Sequence, residues 1–481
     1  MIRLRLATRA TFASLGSRNY RLFFIGQVVS ISGTWMQGVA QAWLVLRLSG
    51  SGTLLGLVTA LQFLPILIAG PWGGLLADRI DKRRLLLVTQ SIAGTLALTL
   101  GLLTLTGAVQ LWMVFVLALA FGCVVAVDNP ARQSFVQEMV GDDDLPNAVT
   151  LNSVVVNAAR VVGPAVAGVL IAAVSLAACF LVNAASYVAV IVALTLMRPE
   201  ELHRSQRAAR GKGQLREGLR YVRARPELRI PLVVMAVVGT LAYEFQVILP
   251  LLARFTFHGD AGVYAAMSSM MGVGAVVGGL ATARRSDPTS LRLMKTAMVF
   301  GLVILGLAVA PTLAVALFAL FLTGAVSIVF LATANATLQL RAAPEMRGRV
   351  MALWGVAFLG TTPIGGPIIG WIGENVGPRW GLAVGAFATM LASAWAARAL
   401  GYHPLAAASP AREDTEQAAT MAAATEAGAY TLPEPARLRP LDVVRRVRAR
   451  RRAGLRTLPP GAPLRHDARP CRHRDRTGAS R

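Results

Sequence analysis

With 481 residues, 55% of them hydrophobic and only 15% charged, the chain carries more apolar side chain than one buried core can hide, which excludes an ordinary soluble enzyme. A formal net charge of +24 would suit a nucleic-acid binder, but the basic residues lie in an N-terminal arm, alternate connections and a C-terminal tail, so no nucleic-acid partner is expected. This is the pattern of an integral membrane protein.

A membrane helix needs about 20 predominantly apolar residues. Twelve segments qualify, near 22–46, 53–77, 85–106, 108–127, 147–175, 176–197, 230–253, 261–283, 294–312, 313–339, 350–373 and 380–400. They predict an all-α fold with an arm at 1–21, a six-helix half at 22–197, a partly helical linker at 198–229, a second half at 230–401 and a disordered basic tail at 402–481. Placing Gly163-Pro164 on Gly366-Pro367 brings the fifth span onto the eleventh, so the halves read as parallel repeats. The arm, 78–84, 198–229, 284–295 and 341–349 are rich in Arg or Lys and fall on one side of twelve spans; the opposite loops carry little charge. By the positive-inside rule both termini are cytoplasmic, and the acid-rich connection 128–146 weighs little against that count. The apolar run after the arm exceeds a signal-peptide core and reads as a retained first helix.

In the first span Gln27, Ser30, Thr34, Gln37 and Gln41 recur three and four residues apart, which puts five polar side chains on one helix face. In the fifth, Thr150, Ser153, Asn157, Arg160 and Pro164 repeat that spacing. Two such stripes suit a wet central cavity, with polar glue between packed helices as the alternative. Charges inside a bilayer cost a few kcal/mol on insertion scales, so Arg160 and Glu244, both near mid-depth, are candidates for one shared cavity. Glu244 reads as a proton-accepting carboxylate or a counter-ion for a cationic substrate. Arg160 reads as its partner or an anion site, against a purely structural ion pair or an arginine bonded to backbone carbonyls. Asp128, at the end of the fourth span, is either solvated or paired with Arg132.

Gly366 with Gly370 gives close-approach spacing, and Gly163-Pro164 with Gly168 adds a proline that lets a helix bend. Cys123, Cys179 and Cys471 are far apart and no histidine pair occurs at helical spacing, so neither a disulfide framework nor a metal site is supported. No phosphate-binding loop, nucleophile elbow or zinc-binding helix motif occurs, so a non-enzymatic chain without a cofactor is expected, driven by a gradient rather than by nucleotide hydrolysis.

Gly74, Asp78, Arg79, Lys82 and Arg83 resemble the loop motif between helices two and three of the major facilitator superfamily of secondary transporters, although Asp81 replaces an expected glycine. The likeness extends over roughly residues 15–400. It implies that Asp78 and the basic residues lock an inner gate against the fourth and eleventh helices, with Arg132 as the fourth-helix partner. Arg18-Asn19-Tyr20-Arg21-Leu22-Phe23, Asp128-Asn129-Pro130-Ala131-Arg132-Gln133 and Leu145-Pro146-Asn147-Ala148 through Gly163-Pro164 resemble the branch of enterobactin-type siderophore exporters and macrolide-efflux permeases. Gly163-Pro164 and Gly168 are also similar to that superfamily's antiporter motif in helix five. The mid-helix-four arginine common in drug antiporters is missing from 114–127, so Arg160 or Glu244 would have to take that role.

The resemblance implies a monomeric exporter in a bacterial-type cytoplasmic membrane, moving small amphipathic molecules such as drugs or siderophores by proton antiport and alternating access. The alternatives are a proton-coupled or facilitated importer, and a non-transporting sensor or scaffold of the same fold.

Overall fold

In the computed structural model the described residues are 12–203, 214–282 and 289–401, with side chains at 70–79, 214–215 and 282 excepted. The expectations for Asp78, Arg79 and Gly74, and for the tail, fall outside them. The described chain is helical with short connections: α1 Arg18–Ser49, α2 Gly52–Arg79, α3 Lys82–Leu105, α4 Leu111–Ala173, α5 Leu176–Thr195, α6 Gln214–Arg223, α7 Pro226–Val237, α8 Phe245–Leu251, α9 Ala261–Thr282, α10 Ser290–Ala308, α11 Leu313–Arg341, α12 Arg347–Phe358, α13 Thr362–Asn375 and α14 Pro378–Ala399. Ten helical segments among the described residues are long and apolar enough to cross a membrane. One of them, α4, has 63 residues and breaks at Gly141, giving room for two crossings; α1 has 32 residues and is more polar. Counting α1 once and α4 twice makes twelve.

The short connections follow from local chemistry. Ser17, Asp81, Ser175, Thr289 and Thr312 each accept a backbone N–H at the start of α1, α3, α5, α10 and α11, satisfying donors that the helix itself leaves open. Gly50 ends α1 at φ 68°, a left-handed conformation that glycine adopts without a Cβ clash.

Three expected boundaries change. The expected loop at 128–146 is helical on both sides of Gly141, whose φ of 73° and ψ of −177° make the break. The seventh span is not one regular helix, because wide turns at Val238–Ala242 and Leu252–Thr256 flank α8. The eleventh is divided at Leu359–Thr361 between α12 and α13. In the linker, α6 docks on α12 of the second half through Glu217 and Arg349, 2.6 Å apart, and the Ala343 N–H donates to the Tyr221 hydroxyl at 3.0 Å.

Exposed aliphatic and aromatic side chains such as Ile68, Val88, Leu98, Val169, Phe318 and Leu391 lie along the outer helix faces, where a bilayer rather than water suits them. At the end bearing the chain's first helix turn, here the near end, Tyr20, Phe23, Phe135 and Met139 form a buried cluster. The Tyr20 hydroxyl donates to the Ala148 carbonyl at 2.9 Å, the Ser14 N–H to Asn147 Oδ1 at 3.1 Å and Asn19 Nδ2 to the Arg198 carbonyl at 2.9 Å. Two of the sequence segments that carried the resemblance therefore meet in space.

Candidate functional site

Helix ends fix where the halves touch. At the far end, where α1 passes into α2, Ser51 Oγ, the Thr53 N–H and Thr53 Oγ1 all donate to Glu374 Oε2 on α13, at 2.7, 2.9 and 2.6 Å. One carboxylate from the second half thus caps the N-terminus of a helix in the first, where orphan N–H groups and the helix dipole favour negative charge. Arg254 donates to the Leu46 carbonyl across the same seam. Gly366 and Gly370 lie against Gly56 and Gly52 of α2; a Cβ on Gly366 would sit 3.0 Å from the Gly56 carbonyl oxygen, and on Gly370 it would run into the Gly52 carbonyl. At a second contact between the halves, α4 with α9, Gly168 packs on Ala265, its Cβ position 2.9 Å from that methyl, whereas Gly163 packs within its own half on Trp35 and the Ser32 carbonyl. Pro164 lies inside α4 without interrupting it.

At the near end the described polar contacts stay inside one half. Lys82 pairs with Glu138 of α4, and Arg83 donates to the Leu194 and Thr195 carbonyls at the end of α5, at 2.6 and 3.0 Å. Lys82 thus meets the long helix that includes the fourth span, and Arg83 meets the end of α5.

Between the ends a cavity of about 430 Å³ opens in the wall of the first half. Its polar lining is Ser30, Thr34 and Gln41 of α1, Gln62 of α2, Gln90 of α3, and Asp128, Asn129, Arg132 and Asn152 of α4; its aromatic lining is Trp35, Phe63, Phe121 and Tyr187, whose hydroxyl lies 3.4 Å from Thr34 Oγ1, and Gln246 reaches it from the second half. Its charged centre is built on consecutive turns of α4. Asp128 is buried; its Oδ1 accepts from Thr89 Oγ1 at 2.7 Å and Gln90 Nε2 at 2.8 Å, while Oδ2 lies 3.3 Å from Arg132 Nη2. Arg132 also donates to Gln27 Oε1 at 3.1 Å and Asn129 Oδ1 at 2.6 Å. Three helices therefore hold one carboxylate and one guanidinium with most of their polar atoms satisfied, which is how a charge pair is tolerated out of water. Because α4 continues past residue 127, Arg132 is a helix residue on the cavity wall rather than a loop residue.

The sequence candidates divide. Thr34, Gln41 and Asp128 line the cavity, and Gln27 reaches it through Arg132. Gln37 is turned to α5, where its Oε1 accepts from Asn183 Nδ2 at 2.7 Å, so it is interhelical glue. On the second stripe, Thr150, Ser153 and Asn157 each donate to the carbonyl four residues back, at 2.8, 3.0 and 2.8 Å, and none lines the cavity. Arg160 and Glu244 are not brought together. Glu244 is buried at the break before α8, with Oε1 unpartnered and facing α13, where a Cβ on Gly365 would lie 2.9 Å from it. The Arg160 guanidinium lies over the Trp35 ring, 5.3 Å from its centroid. Thr89, Gln90, Asn152, Gln246 and Glu374 are the site and seam residues that sequence reasoning missed; single polar residues in apolar runs carry no periodic signal.

Two helical halves joined at one end around a polar-lined cavity have the architecture of the major facilitator fold. Solved structures support that fold: a bacterial homolog of the human lysosomal transporter Spinster, in an inward-facing and unoccupied conformation, has a TM-score of 0.61 at 14% identity over 80% of this chain and 95% of that one. The nucleoside transporter NupG has 0.66 at 12%, over 80% of this chain and 100% of that one. At such identities the likeness shows the fold alone. The transmembrane secretion effector family matches residues 9–429, and the chain belongs to it. Among curated relatives, a staphyloferrin A transporter of Staphylococcus aureus (strain NCTC 8325 / PS 47) is 25% identical over 53% of this chain and 65% of its own length. An uncharacterized MFS-type transporter, YfiS of Bacillus subtilis (strain 168), is 26% identical over 44% of this chain and 51% of its own. The match thus spans less than two thirds of either relative.

Proposed function

We propose that the protein exports small amphipathic molecules across a bacterial cytoplasmic membrane by proton antiport, working as a monomer with both termini in the cytoplasm. The observation that carries this reading is the cavity lined by charged and hydrogen-bonding groups together with aromatic ones, set beneath a far end where contacts join the two halves. Such a cavity takes a molecule with a polar head and an apolar body from the near side, and alternating access delivers it to the far side. The family's description as a secretion effector supports the outward direction, and the staphyloferrin A transporter supports siderophore-like cargo beside drug-like compounds.

Asp128 is the coupling carboxylate in this reading, because it is the acid on the cavity wall and its Arg132 pairing can be exchanged for a proton. Glu244 sits at a helix break against α13, a place to sense movement of the second half. The test is efflux of a panel of dyes, antibiotics and siderophores from proteoliposomes under an imposed proton gradient. Asp128→Asn is expected to lower proton-driven transport by about tenfold or more, as general proton-transfer roles do, while leaving gradient-free exchange. Unchanged proton-driven efflux in Asp128→Asn sinks the coupling assignment, and no transport of any compound by the wild type favours the sensor or scaffold reading.

A further inference from the structure

A mid-membrane guanidinium normally sits opposite a carboxylate or a ring of carbonyls, since an isolated charge there is costly. Arg160 has neither among the described residues. Its Nε is buried without a hydrogen-bond partner, and its guanidinium lies over the face of Trp35. Neither of the two charges that could have neutralised it does so: Asp128 is satisfied by Arg132, Thr89 and Gln90, and Glu244 faces α13 with Oε1 unpartnered. Cation–π stacking holds a guanidinium in place but leaves its in-plane donors free.

The position of this cation matters as much as its charge. The Arg160 carbonyl lies at the seam between the halves, where a Cβ on Gly272 would be 2.6 Å from it, and Ser269 Oγ donates to the next carbonyl, Val161, at 3.4 Å. Trp35, on which the guanidinium rests, lines the cavity, as do Phe63 and Phe121. Arg160 itself is not among the lining residues, but Val156, one turn before it on α4, is; a ligand lying against Trp35 would therefore come within about one helical turn of an uncompensated positive group, while the charge pair of Asp128 and Arg132, neutral as a unit, lies elsewhere on the cavity wall.

We propose that Arg160 and Trp35 form an anion-recognition site, so that the preferred cargo is an amphipathic organic anion whose carboxylate pairs with Arg160 while its apolar body lies on Trp35. This rests on the cavity being the substrate site, and it names the charge of the substrate. A guanidinium fork matches a carboxylate in two parallel hydrogen bonds, which a cationic or neutral head group cannot reproduce.

The experiment compares three fluorescent probes with one apolar body, 1-pyrenebutyrate, 1-pyrenebutanol and 1-pyrenebutylamine, in equilibrium binding to the full chain in lipid nanodiscs without any gradient. The wild type is expected to bind the carboxylate about tenfold tighter than the alcohol, the size of one charge-assisted hydrogen-bond pair, with the amine weakest. Arg160→Gln should bring the carboxylate down to the alcohol while moving alcohol binding less than about twofold, and Arg160→Lys should keep part of the preference. A wild type that binds the three alike, prefers the amine or binds none overturns the site without any variant needing to fold. An unchanged carboxylate-to-alcohol ratio in Arg160→Gln overturns it as well. Because binding is read without transport, a retained anion preference with no efflux defeats the export reading alone, and efflux with a flat preference defeats the anion site alone.

Discussion

The two ends of the bundle are held in different ways. At the far end the contacts run between the halves: a carboxylate of α13 caps α2, Arg254 reaches the Leu46 carbonyl, and glycines of α2 and α13 meet backbone to backbone. At the near end the described ion pairs, Lys82 with Glu138 and Arg349 with Glu217, each tie elements of a single half or its docked linker. Contacts within a half survive a rigid-body rocking of the halves, whereas contacts between them must break. In the proposed transport cycle the far-end contacts are the ones that must break, and these residues set that cost.

The largest way to break this asymmetry is Gly370→Val, because the new side chain would run into the Gly52 carbonyl. Overpacking of this kind costs about 1–3 kcal/mol, so the population sealed at the far end should fall at least about fivefold, read from spin-label distances across that end. Glu374→Ala removes the acceptor for three donors but acts at an exposed site, where such contacts are worth about 1 kcal/mol; a shift of roughly fivefold or less in the same direction is expected. Glu374→Gln should fall between that and the wild type, since an amide oxygen still accepts. Lys82→Ala should lower the thermal midpoint while leaving the far-end population within about twofold, as the partner Glu138 belongs to the same half. Arg349→Ala, smallest of all, should change neither beyond about 1 kcal/mol, because its partner Glu217 is exposed.

The same contrast separates what the sequence discloses from what it hides. Hydropathy marks the spans because it records a local event, burial in lipid. Helix four past residue 127 was hidden, since it continues with polar residues that hydropathy counts as loop; with it went the helical position of Arg132. Three-and-four spacing puts residues on one face but does not say which neighbour that face meets. The α1 stripe reaches the cavity through Ser30, Thr34 and Gln41 yet sends Gln37 to Asn183, and on the α4 stripe Thr150, Ser153 and Asn157 bond their own backbone. The Glu374 cap joins residues more than 300 positions apart, a distance no local pattern spans.

Alternating access between these ends is the central claim, and paired spin-label distances in one reconstituted preparation test it most directly. Labels at Leu105 and Val309 report the far end, and labels at Leu196 and Leu340 the near end; all four positions are exposed. With an exported compound and a proton gradient present, the far-end distance should lengthen as the near-end distance shortens, in matched populations. Two distances that move together, or neither moving while transport proceeds, would contradict the account.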